Sequence, residues 1–150
     1  MASSIILLRI KNIEFVARRL AVSYIILESL DISSLINAYE QLRNALKSAS
    51  TELEQVGTVQ RFECCYELAW KTMKRILAYQ GKEVNSPRST FREANAEGLI
   101  SSAETWFVFL KWRNQSVHTY DSNLLHEMFE MLPLFEQELS AFINHIKQLR

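Results

Sequence analysis

Apolar side chains recur along most of the chain at alternating intervals of three and four residues. This spacing places them on one face of an α-helix. The first stripe of this kind runs from Ile6 to Leu27, the second from Leu35 to Val56, and the third from Val59 to Gln80. Asp31 and Ser33 precede the second stripe as capping side chains. The pattern predicts three successive helices.

Three glycines divide this pattern. Gly57 and Gly81 follow the second and third stripes, and we expect each to end a helix. Ser86 and Pro87 form a capping residue and a first helical position, where the missing N–H of proline has no cost. Gly98 then closes a helix of about three turns.

Two further helices are expected in the C-terminal third. Ser101 and Glu104 have the spacing of a capping box, and a stripe from Trp106 to Val117 follows. Asp121 can cap a last helix rich in leucine and phenylalanine, which Pro133 is expected to kink. No segment alternates with period two, and the chain has only 3 glycines and 2 prolines. The predicted fold is an all-α antiparallel bundle of about five helices, preceded by an N-terminal helical extension.

Charge and cysteine content narrow the class of protein. The chain balances 17 Lys and Arg against 17 Asp and Glu, so its net charge indicates neither a nucleic-acid nor a membrane binder. Arg9 and Lys11 interrupt the first apolar run before it could span a bilayer. Cys64 and Cys65 are adjacent, which fits neither a disulfide framework nor a metal knuckle. A cytoplasmic protein is expected.

Residues 113–120 combine a permanent cation, an amide, an imidazole and a phenol, in Arg113, Asn114, His118 and Tyr120. Arginine offers a rigid fork of donors to phosphoryl oxygens, and an imidazole exchanges protons near neutral pH. The mixture suits phosphate chemistry, although an arginine and a histidine near a helix end can also simply stabilise its dipole. The three histidines lack metal-ligand spacing, so neither a metal site nor a cofactor is predicted.

The geometry of one ideal helix separates the two main candidates. Arg113 and His118 stand about 140° apart around such a helix, so both cannot face one phosphate. Either the helix distorts near Val117, or two chains meet so that the arginine of one faces the histidine of the other. The second solution predicts a homodimer.

The region 57–96 carries seven Lys and Arg against four Asp and Glu. Within it, five cations on two helices are candidates for binding RNA phosphates or a protein partner. They are Arg88, Arg92, Lys71, Lys74 and Arg75. A solvated face balanced by neighbouring glutamates is the alternative.

Several separated motifs together resemble one family. They are Gln60-Arg61-Phe62-Glu63, Tyr66-Glu67-Leu68-Ala69-Trp70-Lys71, Asn85-Ser86-Pro87-Arg88, Arg113-Asn114 and His118-Thr119-Tyr120-Asp121. In this order they are similar to the nucleotidyltransferase substrate-binding protein family of the HEPN superfamily. The resemblance covers about residues 31–148, which divides the chain into an extension over 1–30 and a HEPN-like bundle over 31–150.

The resemblance implies a dimeric helical partner of a minimal nucleotidyltransferase. In related pairs the HEPN member is a ribonuclease toxin, which the nucleotidyltransferase silences by adding AMP to a tyrosine. The family pattern then assigns catalysis to Arg113 and His118, with Asn114 as the polar residue beside the arginine, and modification to Tyr120. An alternative reading of the family is a non-catalytic substrate-binding subunit of a two-chain nucleotidyltransferase.

Overall fold

Five α-helices and a small β-hairpin make up residues 24–149, the part of the chain that this computed structural model describes. The hairpin strands are β1 (Ile25–Ile26) and β2 (Leu30–Asp31). The helices are α1 (Ser33–Ser48), α2 (Glu52–Tyr79), α3 (Pro87–Ala96), α4 (Ala103–Gln115) and α5 (Ser122–Ile146), with a 3₁₀ turn over Ser116–His118 between the last two. The all-α prediction is confirmed.

The hairpin corrects the end of the predicted first helix, most of which lies outside the described residues. Strands β1 and β2 pair antiparallel, with Ile26 opposite Leu30. Leu27 and Glu28 turn the chain with φ of 49° and 65°, a region that ordinary side chains rarely enter. The turn buries Ile26 in the core, so tertiary packing overrides the helical spacing of Tyr24 and Leu27 here.

The boundary between the second and third predicted helices is also corrected. Helix α1 ends at Ser48, and Thr51 caps α2 by accepting a hydrogen bond from the backbone N–H of Glu54. Gly57 therefore lies inside α2 and ends nothing. Unlike Gly81, it lacks a positive φ, so its backbone is compatible with a continuing helix.

The other predicted helix ends are nearly all confirmed. Gly81 and Gly98 have φ of 80° and 77°, and each stands two residues past the end of its helix, α2 and α3 respectively. Ser86 forms a capping box at the start of α3. Asp121 Oδ1 accepts hydrogen bonds from two backbone N–H groups of α5. The cap of α4 is Ser102 rather than Ser101, since its hydroxyl oxygen accepts from the backbone N–H of Thr105.

The long helices α2 and α5 pack through an aromatic core that also anchors α3 and α4. Phe62 of α2 meets Phe135 of α5 edge to face, with ring centroids 4.7 Å apart. Trp106 of α4 is fully buried and contacts Phe91 of α3. Helix α5 continues through Pro133. Within residues 24–149, no helix combines the length and apolarity needed to cross a membrane.

Candidate functional site

Helix α4 breaks between the two predicted catalytic residues. It ends at Gln115, and the 3₁₀ turn carries the chain through His118 to the cap of α5. The carbonyl oxygen of Arg113 accepts hydrogen bonds from both the backbone N–H and the hydroxyl of Ser116, the latter at 2.7 Å, and these bonds close the end of the helix. Helix α4 therefore does not run unbroken to His118, so the distortion near Val117 that the sequence left open is present, and the homodimer stays a prediction.

Arg113 is anchored by two carboxylates on the facing side of α2. Its Nη1 lies 4.0 Å from Glu63 Oε2, and its Nε lies 3.6 Å from Glu67 Oε1. Nη1 also donates to the Ser116 hydroxyl at 3.3 Å. The Arg113 side chain is 28% exposed, so part of this carboxylate-bound side chain still faces solvent.

Glu67 joins this arginine to two further side chains. Its Oε2 accepts a hydrogen bond from Trp70 Nε1 at 2.9 Å and lies 3.9 Å from Lys71 Nζ. One carboxylate thus contacts Arg113, Trp70 and Lys71 together. These contacts restrict the Glu67 side chain, so the position of the guanidinium is supported by a connected polar network.

The hydroxyl of Tyr66 lies buried near the same charges. It has no hydrogen-bond partner among residues 24–149. Burial raises the pKa of this hydroxyl, the nearby Glu67 raises it further, and Arg113 opposes both effects. Tyr66 is consequently a neutral phenol beneath the arginine network.

His118 and Tyr120 form a second group, on the solvent side of the turn. The Nδ1 atom of His118 and the hydroxyl of Tyr120 are 2.9 Å apart, and the two rings meet at 90°. Tyr120 is 80% exposed, so this hydroxyl is accessible to a large reagent. The contact occupies Nδ1 and leaves Nε2 as the nitrogen available to a substrate.

The structure thus places the predicted catalytic residues in two neighbouring groups. Among the described residues, no hydrogen bond joins Arg113 to His118. Asn114 is exposed at the last turn of α4. Within the same part of the chain, no three His, Cys, Asp or Glu side chains group closely enough to hold a metal ion.

The five predicted binding cations fall into separate environments. Arg88 and Arg92 of α3 are exposed and place their guanidinium carbons 4.8 and 5.7 Å from the centroid of the Phe107 ring. Lys71 is paired with Glu67. The remaining two cations lie farther along α2, half-buried and exposed respectively: Lys74 and Arg75.

Four residues at these sites were not singled out from the sequence as functional. Glu63 and Glu67 stand one turn apart on α2, yet this spacing is common on solvated helix faces and indicates no partner. Ser116 gave no signal because its contact depends on the helix break. Phe107 showed only the helical spacing of a core aromatic residue, although the guanidinium groups of two arginines contact its ring.

Comparison with known proteins identifies the family to which this architecture belongs. Residues 30–148 match the family described as "nucleotidyltransferase substrate binding protein like". The chain belongs to the nucleotidyltransferase substrate-binding protein family. The resemblance found from the separated motifs is confirmed. The family match includes α2, the α4 break and every residue of the candidate site.

A curated relative and two solved structures add detail. The "Probable ribonuclease HepT" of Haemophilus influenzae is 31% identical over 99 residues, which span 61% of this chain and 66% of that protein, just under two thirds. A solved structure from Haemophilus influenzae, described as revealing the fold of a substrate-binding domain of a nucleotidyltransferase, superposes with a TM-score of 0.68 at 26% identity and covers 76% of this chain and 97% of its own. A crystal structure of a Thermus thermophilus protein shares the fold, with a TM-score of 0.72 at 24% identity over 76% of this chain and 99% of its own.

Proposed function

We propose that this protein is a metal-independent ribonuclease toxin that acts beside a minimal nucleotidyltransferase. The observation that carries the proposal is the exposed His118 that follows the carboxylate-anchored Arg113 across the α4 break. The name of the Haemophilus influenzae ribonuclease relative supports the reaction class. The family description supports the kind of partner.

The chemistry follows from the two groups. The ribose 2′-hydroxyl attacks the adjacent phosphorus, the bond from phosphorus to the 5′-oxygen breaks, and a 2′,3′-cyclic phosphate and a 5′-hydroxyl result. His118 moves a proton at Nε2, either from the attacking 2′-hydroxyl or to the leaving 5′-oxygen. Arg113 stabilises the negative charge that builds on the phosphoryl oxygens. DNA lacks the attacking hydroxyl and is spared.

Cleavage of RNA by the purified full-length chain tests this reaction. Arg113→Ala and His118→Ala should each remove most activity while helicity stays unchanged. His126→Ala is the matched control, because His126 is an exposed histidine whose contact is with Glu130 on its own helix. Cleavage should persist in a chelator and leave cyclic phosphate ends. Normal activity in His118→Ala, or loss of wild-type activity on chelation, contradicts the mechanism.

We infer that Tyr120 is the site at which the nucleotidyltransferase silences the toxin. The hydroxyl is exposed and lies 2.9 Å from His118 Nδ1, which is in place to accept its proton. The hydroxyl oxygen attacks the α-phosphorus of a nucleoside triphosphate, and pyrophosphate leaves. An attached AMP then blocks the site sterically, ends the contact of His118 with a free hydroxyl, and offers Arg113 a competing phosphate.

Coexpression with the cognate nucleotidyltransferase tests this regulation. The expected result is a ladder of AMP masses that maps to Tyr120, and Tyr120→Phe should escape silencing. Tyr79→Phe is the control, since Tyr79 is an exposed tyrosine at the far end of α2. If Tyr120 stays unmodified while toxicity is suppressed, complex formation alone is responsible.

The second candidate function is a non-catalytic substrate-binding subunit of a two-chain nucleotidyltransferase. The family description and the description of the Haemophilus influenzae structural relative favour it. It predicts no RNA cleavage by the chain under any condition, together with a change in the acceptor preference or rate of the nucleotidyltransferase when the chain is added. Parallel assays of both activities separate the two candidates.

A further inference from the structure

Two arginines share one aromatic ring on the surface formed by α3 and α4. The guanidinium carbons of Arg88 and Arg92 lie 4.8 and 5.7 Å from the centroid of Phe107, inside the range of a cation–π interaction. Phe107 is itself packed against the core, so the platform is fixed. Two planar donor forks, from residues one helical turn apart on α3, are thereby held at the same ring.

The carboxylates in and just after α3 do not balance this pair of charges. Glu93 and Glu97 are both engaged by Lys82, at 3.3 and 3.4 Å. Neither Arg88 nor Arg92 forms an ion pair with a carboxylate among residues 24–149. Two like charges held at one ring repel one another, and an anion bound by both lowers that cost.

We propose that Arg88, Arg92 and Phe107 form a phosphate subsite for single-stranded RNA, separate from the Arg113 and His118 groups. The ligand identity rests on the proposed ribonuclease function, whereas the subsite itself rests on the paired guanidiniums. Each fork can donate to the non-bridging oxygens of a phosphodiester. The contact is to the backbone, so it binds RNA irrespective of base sequence.

The position of the subsite on α4 favours RNA over an acidic protein surface. Phe107 precedes Arg113 by six residues on the same helix, which is about 9 Å along its axis and about 120° around it. In the proposed path, a flexible strand whose scissile phosphate lies at Arg113 crosses from one face of α4 to another and reaches the arginine pair as it leaves the site. The pair holds the flanking part of the strand while the cleavage site acts on the scissile phosphate.

Binding of a fluorescent single-stranded RNA oligonucleotide by the full-length His118→Ala protein tests the subsite without cleavage. Arg88→Gln with Arg92→Gln should weaken binding roughly tenfold at about 0.1 M salt. It should also reduce the slope of log affinity against log salt by about 1.4, the value for two phosphate contacts on a single strand. The matched control is Arg43→Gln with Lys47→Gln, two exposed cations one turn apart on α1.

A second variant tests the contribution of the aromatic ring separately from the charges of the two arginines. Phe107→Leu keeps both arginines but removes the aromatic platform, and it should weaken RNA binding several-fold with little change in salt slope. Unaltered thermal unfolding of the arginine double variant, followed by circular dichroism, shows that a binding loss is not a folding loss.

The outcomes distinguish this subsite from the proposed ribonuclease activity. If the wild type does not cleave RNA but the arginine pair is still required for binding, the subsite stands and the ribonuclease proposal fails. If the wild type cleaves and the arginine double variant binds RNA like the α1 control, the subsite is wrong. Retained RNA binding with lost affinity for the nucleotidyltransferase also overturns it, as does absence of RNA binding in every variant.

Discussion

Glu67 is the side chain on which the arginine network depends. It contacts Arg113, Trp70 and Lys71 at once, and no other described carboxylate contacts the Nε of the arginine. A guanidinium must be held in a productive geometry to stabilise a transition state, and small displacements of such groups are costly in rate. Glu67 is therefore a positioning residue for the proposed reaction.

Glu67→Gln should lower RNA cleavage about tenfold, because Arg113 then keeps only the longer of its two carboxylate contacts, the one with Glu63. The melting temperature should change little, since partly exposed ion pairs contribute about 0–1 kcal/mol. Glu40→Gln is the matched control, because Glu40 pairs with Arg43 on the exposed face of α1. Glu67→Asp should recover part of the activity. Wild-type cleavage by Glu67→Gln would show that the carboxylate does not position the arginine.

At the residue scale, the sequence shows which side chains are chemically suited to a reaction more readily than it shows which side chains hold them in position. Arg113, His118 and Tyr120 stand close together in the chain, so their chemical types could be recognised as a group. Glu67 lies 46 residues before Arg113, and only the packing of α2 against α4 brings them together. The proposed roles of Arg113 and His118 stay predictions, which the substitutions described above test.

At the element scale, glycine signals predict helix ends only where the backbone requires them. Gly81 and Gly98 adopt positive φ after α2 and α3, and both helix ends were predicted. Gly57 is also a glycine but has no positive φ, and the helix end predicted there was wrong. The hairpin was missed because each strand has two residues and its turn uses Leu27 and Glu28, neither of which signals a left-handed turn.

This difference between glycines gives a stability prediction. An added Cβ at Gly57 has no atom within 4 Å, and the position is helical, so Gly57→Ala should stabilise the fold by about 1 kcal/mol. Gly81→Ala should destabilise it by about 1 kcal/mol, because alanine disfavours a φ of 80° even though space is available. Urea denaturation midpoints of the two variants should move in opposite directions. Movement in the same direction contradicts the assignment of Gly57 to a helix interior.

At the scale of the whole molecule, we propose a homodimer because Arg113 and His118 have separate contacts within one chain, and not because of the geometry of an ideal helix. The break in α4 removes the argument from an unbroken helix. Among residues 24–149 of a single chain, however, Arg113 contacts α2 while His118 contacts Tyr120. We propose that a twofold axis brings the arginine of one chain to the histidine of the other, as closed symmetric dimers allow.

Complementation between two inactive variants tests this composite site. Arg113→Ala and His118→Ala chains, mixed and re-equilibrated, should recover about one quarter of wild-type cleavage, since half of the dimers are mixed and each holds one intact pair. Light scattering should give twice the 17.5 kDa of one chain. A monomer with full activity, or a mixed dimer without activity, rules out a site shared between chains.

The hairpin has a practical consequence for where the folding unit is taken to begin. Sequence similarity to the family starts at residue 30, in the second strand, whereas Ile26 of the first strand is buried and the Tyr24 ring receives the Lys147 ammonium at 5.0 Å. A fragment cut at the similarity boundary would leave β2 without its pairing strand and the C-terminal end of α5 without its aromatic cover. Such a fragment should unfold at a lower temperature than one that begins before Tyr24. The family similarity thus starts after residues that already pack against the bundle.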